Sequence, residues 1–530
     1  MKANPPSSPG SLPDLFNIAT ACCDKWVDNG HGGRTAIHHD GAEITFLELQ
    51  SLINRIGNGL SSLGLGPGDR FLIRLGSVPE FYAAFLAGLK IGAVGIPTPL
   101  LLRERELRHI ITVAQVSLAI TSEDLARPIR SIRDDIPGLA QVVCAGTTDR
   151  SETELSTLTD HDDDQLFAHP TKPDDPAFVL FSSGTTGVPK GIAHAHRGFN
   201  ICAGDPVGRL GMGLTKDDVV LNPHDPAWSY SLGCGFLFPL CEGASIVTSS
   251  TRISPEEVLQ WVERHRVTVL ATVPTFYRAV LSHTEIEKGI DLSSLRHCTS
   301  AGEPLTTNTY HEWRRRMGVP ILDHIGQGES SMICANIPDS KIKPGSFGKP
   351  LPGFRVAVVD DDGREVVGEV GNLVISEDNP GLFYDYLGMP EKWEETHRDG
   401  WYYTGDLALQ DSEGFGWFVS RSDDLIKSRG YLISPAEVED CLVDHPSVLE
   451  AGVVGHPHEQ MGQIVTAYVV LQPGYEGNPE LADRLIGHTR NQIAPFKAPK
   501  RVEFLKELPK TSTGKILRRD LRASETIGGL

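Results

Sequence analysis

The stretch Phe178–Gly191 reads FVLFSSGTTGVPKG. Its first four residues are apolar, with the length and composition of a buried strand, and the chain then changes abruptly to hydroxyl residues and glycines. Glycines permit positive φ angles and close approach of the backbone, and hydroxyls beside exposed N–H groups can hold a polyphosphate. Lys190 adds a positive charge that can reach a phosphate oxygen. We therefore predict a strand that feeds a phosphate-binding loop.

This loop differs from a Walker loop, in which Gly-Lys-Ser/Thr stands at the start of a helix. A loop rich in serine and glycine is often only a surface turn, but its place between a buried strand and Pro-Lys-Gly favours phosphate binding here. The predicted loop residues are Ser182, Ser183, Gly184, Thr185, Thr186 and Gly187.

Composition excludes several classes of protein. A chain of 530 residues is too long for one ordinary core, so we expect two or more domains. The formal charge of −20 argues against a nucleic-acid binder and against an anionic-membrane binder, because both need a basic surface. The nine cysteines are scattered without a CxxC pair, the N-terminus lacks the apolar core of a signal peptide, and the apolar segment Phe81–Leu89 is too short to span a bilayer. We therefore expect a cytoplasmic protein.

The order of apolar segments indicates the fold. Strand-like and helix-like segments alternate through the first two thirds of the chain, which implies βαβ units and mainly parallel, layered sheets. We expect helical spacing from Leu15 and an amphipathic helix from Thr45. The predicted strands are 71–75, 93–96, 117–121, 141–145, 219–222, 244–248 and 267–270, and the predicted helices include 80–91 and 255–264.

The pattern of predicted strands and helices changes twice towards the C-terminus. From Gly353, FRVAVVDDDGREV predicts two short strands around an Asp-Asp-Gly turn, and GEVGNLVIS predicts another, as in a small β-rich module. Near Asp423 a compact α+β tail begins. The predicted fold class is α/β, with a large N-terminal domain (1–422) and a small, mobile α+β C-terminal domain (423–530).

Four further motifs carry polar groups suited to nucleotide chemistry. In DHIGQGES, Glu329 offers a hard carboxylate to a magnesium ion, and in WYYTGDLA, Asp406 can accept the hydroxyls of a ribose. Arg421 can reach the same sugar or a phosphate, and Lys515 in LPKTSTGKILRR can stabilise charge at a carboxylate–phosphate centre. The small-residue turn SAGEPL (300–305) is the fourth. Each motif alone could be an ordinary loop, turn or surface side chain. Their occurrence in one chain is what favours a nucleotide site.

In this order the motifs resemble those of the adenylate-forming superfamily of acyl- and aryl-CoA ligases, peptide-synthetase adenylation domains and luciferases. The resemblance runs from about residue 15 to 522, and its most specific parts are FSSGTTGVPKG, YYTGDLA, SRSDDLIKSRGYLISPAEVE and PKTSTGKI. KIKPGSFGKP and DPAW look like medium-chain acyl-CoA synthetases, whereas WSYSLGCGFLFPL looks like benzoate-CoA ligases.

The resemblance implies an ATP-dependent carboxylic acid:CoA ligase that forms an acyl-adenylate and then a thioester. Ser182–Lys190 would hold the ATP phosphates, Thr185 and Glu329 the magnesium, and Asp406 with Arg421 the ribose. Lys515 would serve adenylation, and rotation about Asp423 would then replace it. The adenine would lie against Gly302, Glu303, Pro304, Asp323, His324 and Ile325, and coenzyme A against Ser428, Arg429, Gly430 and Tyr431.

The sequence departs from the family pattern at two positions. Gly328 stands where the family usually has threonine, and Ser420 stands where a glycine usually precedes the ribose arginine. The first change removes a hydroxyl near the phosphates and leaves more space. The acyl pocket implied by the resemblance consists of Trp228, Tyr230, Ser231, Gly233, Gly302, Gly326 and Gly328.

The expected substrate is an aromatic, alicyclic or medium-chain monocarboxylate, although the glycines would also admit a bulkier polycyclic acid. Two alternatives stay open: a stand-alone adenylation enzyme that loads a carrier protein, and a catalytically silent binding relative. Expected partners are ATP, coenzyme A and the acid, with no nucleic acid and no membrane, and a homodimer is compatible with the sequence.

Overall fold

The structure is a computed structural model, and it describes residues 12–147, 149–183, 189–203, 207–429, 431–458, 460–510 and 516–523, with backbone only at 183, 202 and 203. A large N-terminal part of sheets and helices precedes a smaller α+β part, as predicted. The strands of the larger part are β1 (Thr35–His39), β2 (Ala42–Thr45), β3 (Arg70–Arg74), β4 (Val94–Pro97), β5 (Leu118–Ser122), β6 (Gln141–Ala145), β7 (Thr153–Glu154), β8 (Pro176–Ser183), β9 (Pro189–Ala195), β10 (Val219–Leu221), β11 (Ser245–Thr248), β12 (Val269–Thr272), β13 (His297–Ser300), β14 (Ile321–Gln327), β15 (Ser331–Ala335), β16 (Lys349–Pro350), β17 (Val356–Val359), β18 (Val370–Ser376), β19 (Asp385–Tyr386), β20 (His397–Arg398), β21 (Trp401–Gln410) and β22 (Gly416–Arg421).

The helices connect these strands mostly in the alternating order that the sequence predicts. The α-helices are α1 (Lys25–Asp28), α2 (Phe46–Ser62), α3 (Pro79–Lys90), α4 (Glu104–Val113), α5 (Arg127–Arg133), α6 (Ser156–Thr159), α7 (Ser229–Leu232), α8 (Phe238–Cys241), α9 (Val258–Arg264), α10 (Pro274–Ser282), α11 (Thr307–Met317) and α12 (Pro390–Thr396). Short π-helical turns lie at Thr20–Asp24, Val207–Gly211 and Gly233–Leu237, and a 3-10 turn at Gly198–Ala203.

Two mainly parallel sheets form the body of the larger part. Their strand orders are β16-β15-β14-β13-β12-β10-β11-β1-β2 for the first sheet and β19-β9-β8-β4-β3-β5-β6-β7 for the second. Helices α2 and α3 lie between them, in one core with the inner faces of both sheets. Because successive side chains of a strand point to opposite faces, Ile73 joins this core, whereas its neighbour Leu72 packs outward with α4 and α5. The layered βα arrangement is therefore confirmed.

The start of α2 shows why a helix begins at the predicted place. Thr45 accepts a hydrogen bond from the backbone N–H of Glu48 at 3.2 Å, and the Glu48 carboxylate accepts one from the N–H of Thr45 at 2.8 Å. This reciprocal cap satisfies two of the donors that a helix N-terminus leaves unpaired. The sequence reading missed the hairpin β1–β2 just before it, because helical spacing was expected from Leu15 onward.

A smaller β-rich module follows the first sheet. Its strand order is β17-β18-β21-β20, with β22 paired to β21. The predicted strand after the Asp-Asp-Gly turn is wrong in extent, because only an isolated bridge between Val359 and Glu365 pairs it with β17. The long pair β21–β22 brings Asp406 opposite Arg421.

The C-terminal α+β part has its own sheet and core. Its sheet has the order β24-β23-β26-β25, with β27 parallel to β26. Apolar residues of this sheet and of two helices pack together as a core separate from those of the larger part. None of the described helices of the chain combines the length and apolar character that crossing a bilayer requires. The elements are β23 (Ile426–Ser428), β24 (Tyr431–Ile433), α13 (Pro435–Val443), β25 (Val448–His458), β26 (Gly462–Leu471), α14 (Pro479–Gln492), β27 (Arg501–Phe504) and α15 (Arg518–Ala523).

Candidate active site

Several predicted site residues lie outside the described residues. The structure therefore neither supports nor opposes their assignment. They are Gly184, Thr185, Thr186, Gly187, Gly430 and Lys515, together with the side chain of Ser183.

The described ends of the predicted phosphate loop are the two strands of a hairpin. Strands β8 and β9 are antiparallel, with Ser182 opposite Lys190. Lys190 thus stands on a strand rather than at a helix N-terminus, as the departure from the Walker pattern indicated. Its Nζ lies 3.8 Å from Oε1 of Glu329 and 5.1 Å from the ring centre of Tyr386. Burial lowers the pKa of Lys190, and the carboxylate of Glu329 opposes that shift.

Glu329 lies at the turn between β14 and β15 and is 8% exposed. Oε1 accepts a hydrogen bond from the hydroxyl of Tyr386 at 2.9 Å. The backbone carbonyl of Glu329 accepts a further bond from the N–H of Phe383 at 2.9 Å. Glu329 therefore presents a nearly buried carboxylate beside Lys190, and the hydroxyl of Tyr386 holds one of its oxygens.

Asp406 and Arg421 form the second charged pair of the site. Their atoms Oδ1 and Nη1 are 2.8 Å apart, and Oδ2 of Asp406 accepts a hydrogen bond from Nε2 of Gln327 at 2.7 Å. Burial alone would lower the pKa of Arg421. The neighbouring carboxylate of Asp406 raises it by more, so the net shift of this pKa is upward. Gln327 stands two residues before Glu329, so the two predicted carboxylates are joined through the same turn of the first sheet.

Strands β13 and β14 bring the predicted adenine residues together. These strands are parallel, with Ser300 opposite Asp323, and the turn after β13 carries Gly302 at a φ of 89°. Burial raises the pKa of Asp323 well above its ordinary value and lowers that of His324 to about 3. The imidazole of His324 is therefore uncharged at neutral pH, and burial makes the Asp323 carboxyl easier to protonate than an exposed one.

The side chain of Glu303 has partners in this structure that the sequence did not indicate. Its carboxylate accepts hydrogen bonds from Nη2 of Arg278, at 3.2 Å, and from the hydroxyl of Thr275. The Glu303 carboxylate is thus held by α10, and its expected place at the adenine stays a prediction.

Trp228 and Tyr230 form an aromatic corner next to the adenine turn. Their ring centres are 5.4 Å apart at 62°, and ring carbons of Trp228 lie 3.5 Å from the place that a Cβ on Gly302 would take. The hydroxyl of Tyr230 donates to the backbone carbonyl of Thr299 at 3.3 Å, and its ring centre lies 5.5 Å from that of His324. A Cβ at position 302 would make only ordinary van der Waals contact with the indole, so the positive φ of 89° is the reason that glycine is favoured there.

The other predicted acyl-pocket residues have mainly structural contacts. Ser231 is buried and donates to Oδ1 of Asn222 at 3.0 Å. A Cβ on Gly233 would lie 2.8 Å from Phe238, one on Gly328 would lie 3.0 Å from Ile192, and one on Gly326 would clash with the carbonyl of Ser331. These glycines allow close backbone packing whether or not they face a substrate.

Comparison with known sequences decides the family. Residues 23–387 match the profile described as AMP-binding enzyme, and residues 437–515 match that of the AMP-binding enzyme C-terminal domain. The chain belongs to the AMP-binding enzyme family. Human acyl-coenzyme A synthetase ACSM3, mitochondrial, is 36% identical over 533 residues, which cover 97% of this chain and 90% of the relative. The benzoate–CoA ligase of Thauera aromatica is 36% identical over 516 residues, which cover 97% of each chain.

Solved structures agree with this placement. The anthranilate CoA ligase AuaEII in complex with anthranoyl-AMP superposes with a TM-score of 0.91 at 30% identity, covering 98% of both chains. A benzoate CoA ligase from Burkholderia xenovorans LB400 superposes with a TM-score of 0.86 at 30% identity, covering 96% of this chain and 100% of that one. The protein is thus an acyl- or aryl-CoA ligase of the adenylate-forming superfamily.

In this structure of the ligase, the predicted CoA hairpin faces solvent. Ser428 is buried at the end of β23, whereas Arg429 is exposed with a φ of 51°. Tyr431 is 52% exposed and stacks on Phe496 with ring centres 4.2 Å apart. The hairpin is therefore not enclosed within the ligase in the conformation described.

The described residues around the predicted hinge are tied to the end of the chain. Asp423 lies 3.6 Å from Nε of Arg421. Its neighbour Asp424 accepts from Nη2 of Arg522 at 2.7 Å and lies 3.4 Å from Nη1 of Arg518. The residues around the predicted hinge are thus held between the Asp406–Arg421 pair on one side and α15 on the other.

Sequence reasoning missed several side chains that connect the site. Gln327 bonds Asp406 and accepts from Tyr402, while Tyr386 bonds Glu329. His194 lies 2.7 Å from the carbonyl oxygen of Gly328. Gln327 and Tyr402 stand inside motifs that the sequence singled out, so only their role was missed. Tyr386 lies outside those motifs, and nothing in its neighbourhood of the sequence indicated a site.

Proposed function

We propose that the ligase activates an aromatic monocarboxylate, with ATP as the adenylyl donor and coenzyme A as the acceptor. The observation that carries this choice is the aromatic corner of Trp228 and Tyr230, which lies against the turn at Gly302 and beside His324. The flat ring of an aromatic acid stacks favourably on such side chains. The imidazole of His324 is uncharged, so no charge would be buried against the ring of the substrate. Alicyclic and medium-chain acids are the next candidates.

In the first step, an oxygen of the substrate carboxylate bonds to the α-phosphorus of ATP, and the bond to pyrophosphate breaks. In the second step, the sulfur of coenzyme A bonds to the acyl carbon, and AMP leaves. Both steps pass through one mixed anhydride, which has to be kept from water. The low exposure of Glu329 and Asp406 favours such a dry site.

Two charged pairs would position the nucleotide. Lys190 would reach the phosphates from β9, with the loop that includes Ser182 around them. Asp406 would accept hydrogen bonds from the ribose hydroxyls, with its carboxylate already oriented by Arg421 and Gln327. Because protein side chains hold this carboxylate, little reorganisation would be needed at the moment of reaction.

The donor set at Glu329 fits a magnesium ion. Its carboxylate is a hard oxygen ligand, and the contacts to it within the described residues go to Oε1, which leaves Oε2 for a cation. Glu329 and Thr185 would hold the ion, which neutralises charge on the phosphates when bound. Lys190 and Tyr386 would keep Glu329 in place.

We further propose a boundary between residues 1–422 and 423–530, with Asp423 as the hinge. Lys515 would stabilise the negative charge of the adenylation transition state, and rotation would then withdraw it. Ser428–Tyr431 would come to the pantetheine channel in the second state. The exposure of Arg429 and Tyr431 agrees with a hairpin that has not yet turned inward.

The experiment is ATP-dependent consumption of CoA thiol over benzoates, cyclohexane carboxylates, C4 to C12 fatty acids and polycyclic acids, with pyrophosphate release followed in parallel. We expect thiol loss and pyrophosphate release together, with benzoates turned over best. Pyrophosphate release without thiol loss would instead favour loading of a carrier protein. No pyrophosphate with any acid would favour a silent binding relative.

A cytoplasmic location and a homodimer belong to the same proposal. Residues of both the larger and the smaller part contribute to the proposed site, so a single chain suffices for the reaction. Native mass spectrometry of the purified enzyme and fractionation of its source cells would test the two expectations.

A further inference from the structure

Buried hydrogen bonds lead from each of the two carboxylates of the site to one of two neighbouring tyrosines. Nε2 of Gln327 donates to Oδ2 of Asp406 at 2.7 Å, and Oε1 of Gln327 accepts from the hydroxyl of Tyr402 at 3.2 Å. The hydroxyls of Tyr402 and Tyr386 are 3.4 Å apart, and Tyr386 donates to Oε1 of Glu329 at 2.9 Å. Tyr386 and Tyr402 are 1% and 2% exposed, so water does not compete for these bonds.

The direction of these bonds follows from the carboxylates at both ends. An ionised carboxylate only accepts, so Gln327 has to present its NH₂ group to Asp406 and its oxygen to Tyr402. The single proton of Tyr402 is then used on Gln327. Tyr386 gives its own single proton to Glu329. No proton is then left for the 3.4 Å approach of the two hydroxyls, which is a close contact of two oxygens and not a hydrogen bond. Burial raises the pKa of both phenols, so both keep their protons through the working range of pH.

The strand arrangement places Tyr386 next to Lys190 as well. Strand β19 pairs with β9, with Tyr386 opposite Ile192, and side chains two residues apart on a strand share a face. Lys190 accordingly lies 5.1 Å from the ring centre of Tyr386 and 3.8 Å from the same Oε1 that Tyr386 bonds. The ring and the hydroxyl of Tyr386 thus act on the lysine and on the carboxylate respectively.

We infer that Tyr386 is a positioning residue, whose hydroxyl holds Oε1 of Glu329 so that Oε2 is directed at the divalent cation of the ATP complex. A neutral hydroxyl suits this task, because it fixes one oxygen without cancelling the negative charge that the cation needs. Partners that orient a metal-ligating carboxylate commonly change metal affinity or activity about 10- to 100-fold when they are removed. The inference rests on the proposed role of Glu329.

The test is the variant Tyr386→Phe, which keeps the ring over Lys190 and removes only the hydroxyl. Binding of Mn²⁺ to the enzyme with a non-hydrolysable ATP analogue is measured by electron paramagnetic resonance, so the readout needs no turnover. We expect Mn²⁺ affinity to fall about tenfold. We also expect the thioester step, started from synthetic acyl-adenylate and CoA, to keep its wild-type rate.

Tyr384→Phe is the matched control. It removes the same hydroxyl two residues away in the same segment, from a side chain that is 37% exposed. A second control is a double-mutant cycle with Glu329→Gln, in which Tyr386→Phe should have no further effect on Mn²⁺ affinity if it acts through the carboxylate.

Two outcomes would overturn the inference. Unchanged Mn²⁺ affinity in Tyr386→Phe, with normal binding in the wild type, would show that the hydroxyl does not position the ligand. Equal losses in the wild-type and Glu329→Gln backgrounds would show that it acts elsewhere. Failure of the proposed ligase reaction is recognised separately, because the wild type would then bind Mn²⁺ and the analogue but release no pyrophosphate with any acid.

Discussion

Arg421 and Asp406 lie opposite each other on β22 and β21, with Nη1 and Oδ1 2.8 Å apart. Asp406 is 6% exposed, and its second oxygen is held by Gln327. The pair thus fixes a carboxylate in one orientation at the place where we propose that the ribose binds.

We predict that Asp406→Asn raises KM for ATP at least about tenfold, because hydrogen bonds to a charged group contribute about 1.5–3 kcal/mol. ATP–pyrophosphate exchange with a saturating acid measures this constant. Asp411→Asn is the control, since Asp411 belongs to the same module but pairs with Lys343 at the surface. An unchanged KM in Asp406→Asn would remove the ribose assignment.

The aromatic corner gives a prediction about the acid. Trp228→Leu keeps an apolar side chain but removes the flat indole that lies against Gly302 and Tyr230. Aromatic pairs contribute about 0.5–1.5 kcal/mol beyond the area that they bury. We therefore expect kcat/KM for benzoate to fall about tenfold relative to that for octanoate.

The ratio of kcat/KM for the two acids is measured by mixing benzoate and octanoate with limiting ATP and quantifying the two thioesters. Trp261→Leu is the matched control, because Trp261 stacks on His265 at α9 and lies outside the corner. An unaltered benzoate-to-octanoate ratio in Trp228→Leu would mean that the corner does not contact the acid.

Much of this arrangement could be predicted from the sequence, because the motifs are local. FSSGTTGVPKG and YYTGDLA each contain a strand segment that the local pattern predicts. Asp406 lies within β21 and not after a turn, and its pairing with Arg421 comes from the neighbouring strand β22. The hydrogen bonds that join the motifs could not be predicted in the same way. Tyr386 stands on a strand of two residues, which has no periodicity to detect, and its position depends on pairing with β9 far away in the chain.

The sequence also could not predict which side chains contact each other or how far a strand pairs beyond a turn. The resemblance places Glu303 at the adenine, which stays a prediction, but the pairing of its carboxylate with Arg278 from α10 could not be read from the motif. The strand after the Asp-Asp-Gly turn was also overestimated, because a turn signal does not determine how many residues pair beyond it. The contact of Glu303 comes from a residue outside its motif, whereas the bridge between Val359 and Glu365 lies within the motif.

Asp440 provides a prediction about pH. It lies on α13 near Arg278 and Glu303 of the larger part and near Glu439 and Asp444 of its own segment. Burial, reinforced by Glu439, raises its pKa to about 7. Because this pKa is higher in the folded than in the unfolded chain, the folded state binds more protons between about pH 4 and 7, and stability falls as the pH rises through that window.

Asp440→Asn should abolish this loss, since the amide does not ionise. We expect the variant to exceed the wild type in thermal midpoint, and its advantage at pH 8 to be about twice that at pH 5.5. Differential scanning fluorimetry over that range measures the effect, with Asp444→Asn on the same segment for comparison. An advantage that does not change with pH would contradict the assignment of this titration to Asp440.

Asp424 connects the proposed hinge to the helix that follows Lys515 in the chain. It accepts from Arg522 at 2.7 Å, and Arg518 bridges it to Glu439, which Arg518 contacts at 2.7 Å. Arg518 is unsuitable for a test, because its removal would leave the buried Glu439 without its cation and cost about 3–5 kcal/mol. Asp424→Asn weakens the connection and keeps the shape of the side chain.

If this connection orients the end of the chain during adenylation, Asp424→Asn should slow pyrophosphate formation about fivefold, an effect of about 1 kcal/mol. The thioester step, started from synthetic acyl-adenylate, should change less than twofold, because we propose that Lys515 has then been withdrawn. Asp520→Asn is the control, since Asp520 lies on α15 but pairs only with its neighbour Arg519 among the described residues. Equal slowing of both half-reactions would mean that Asp424 supports the fold of the C-terminal part and has no separate role in adenylation.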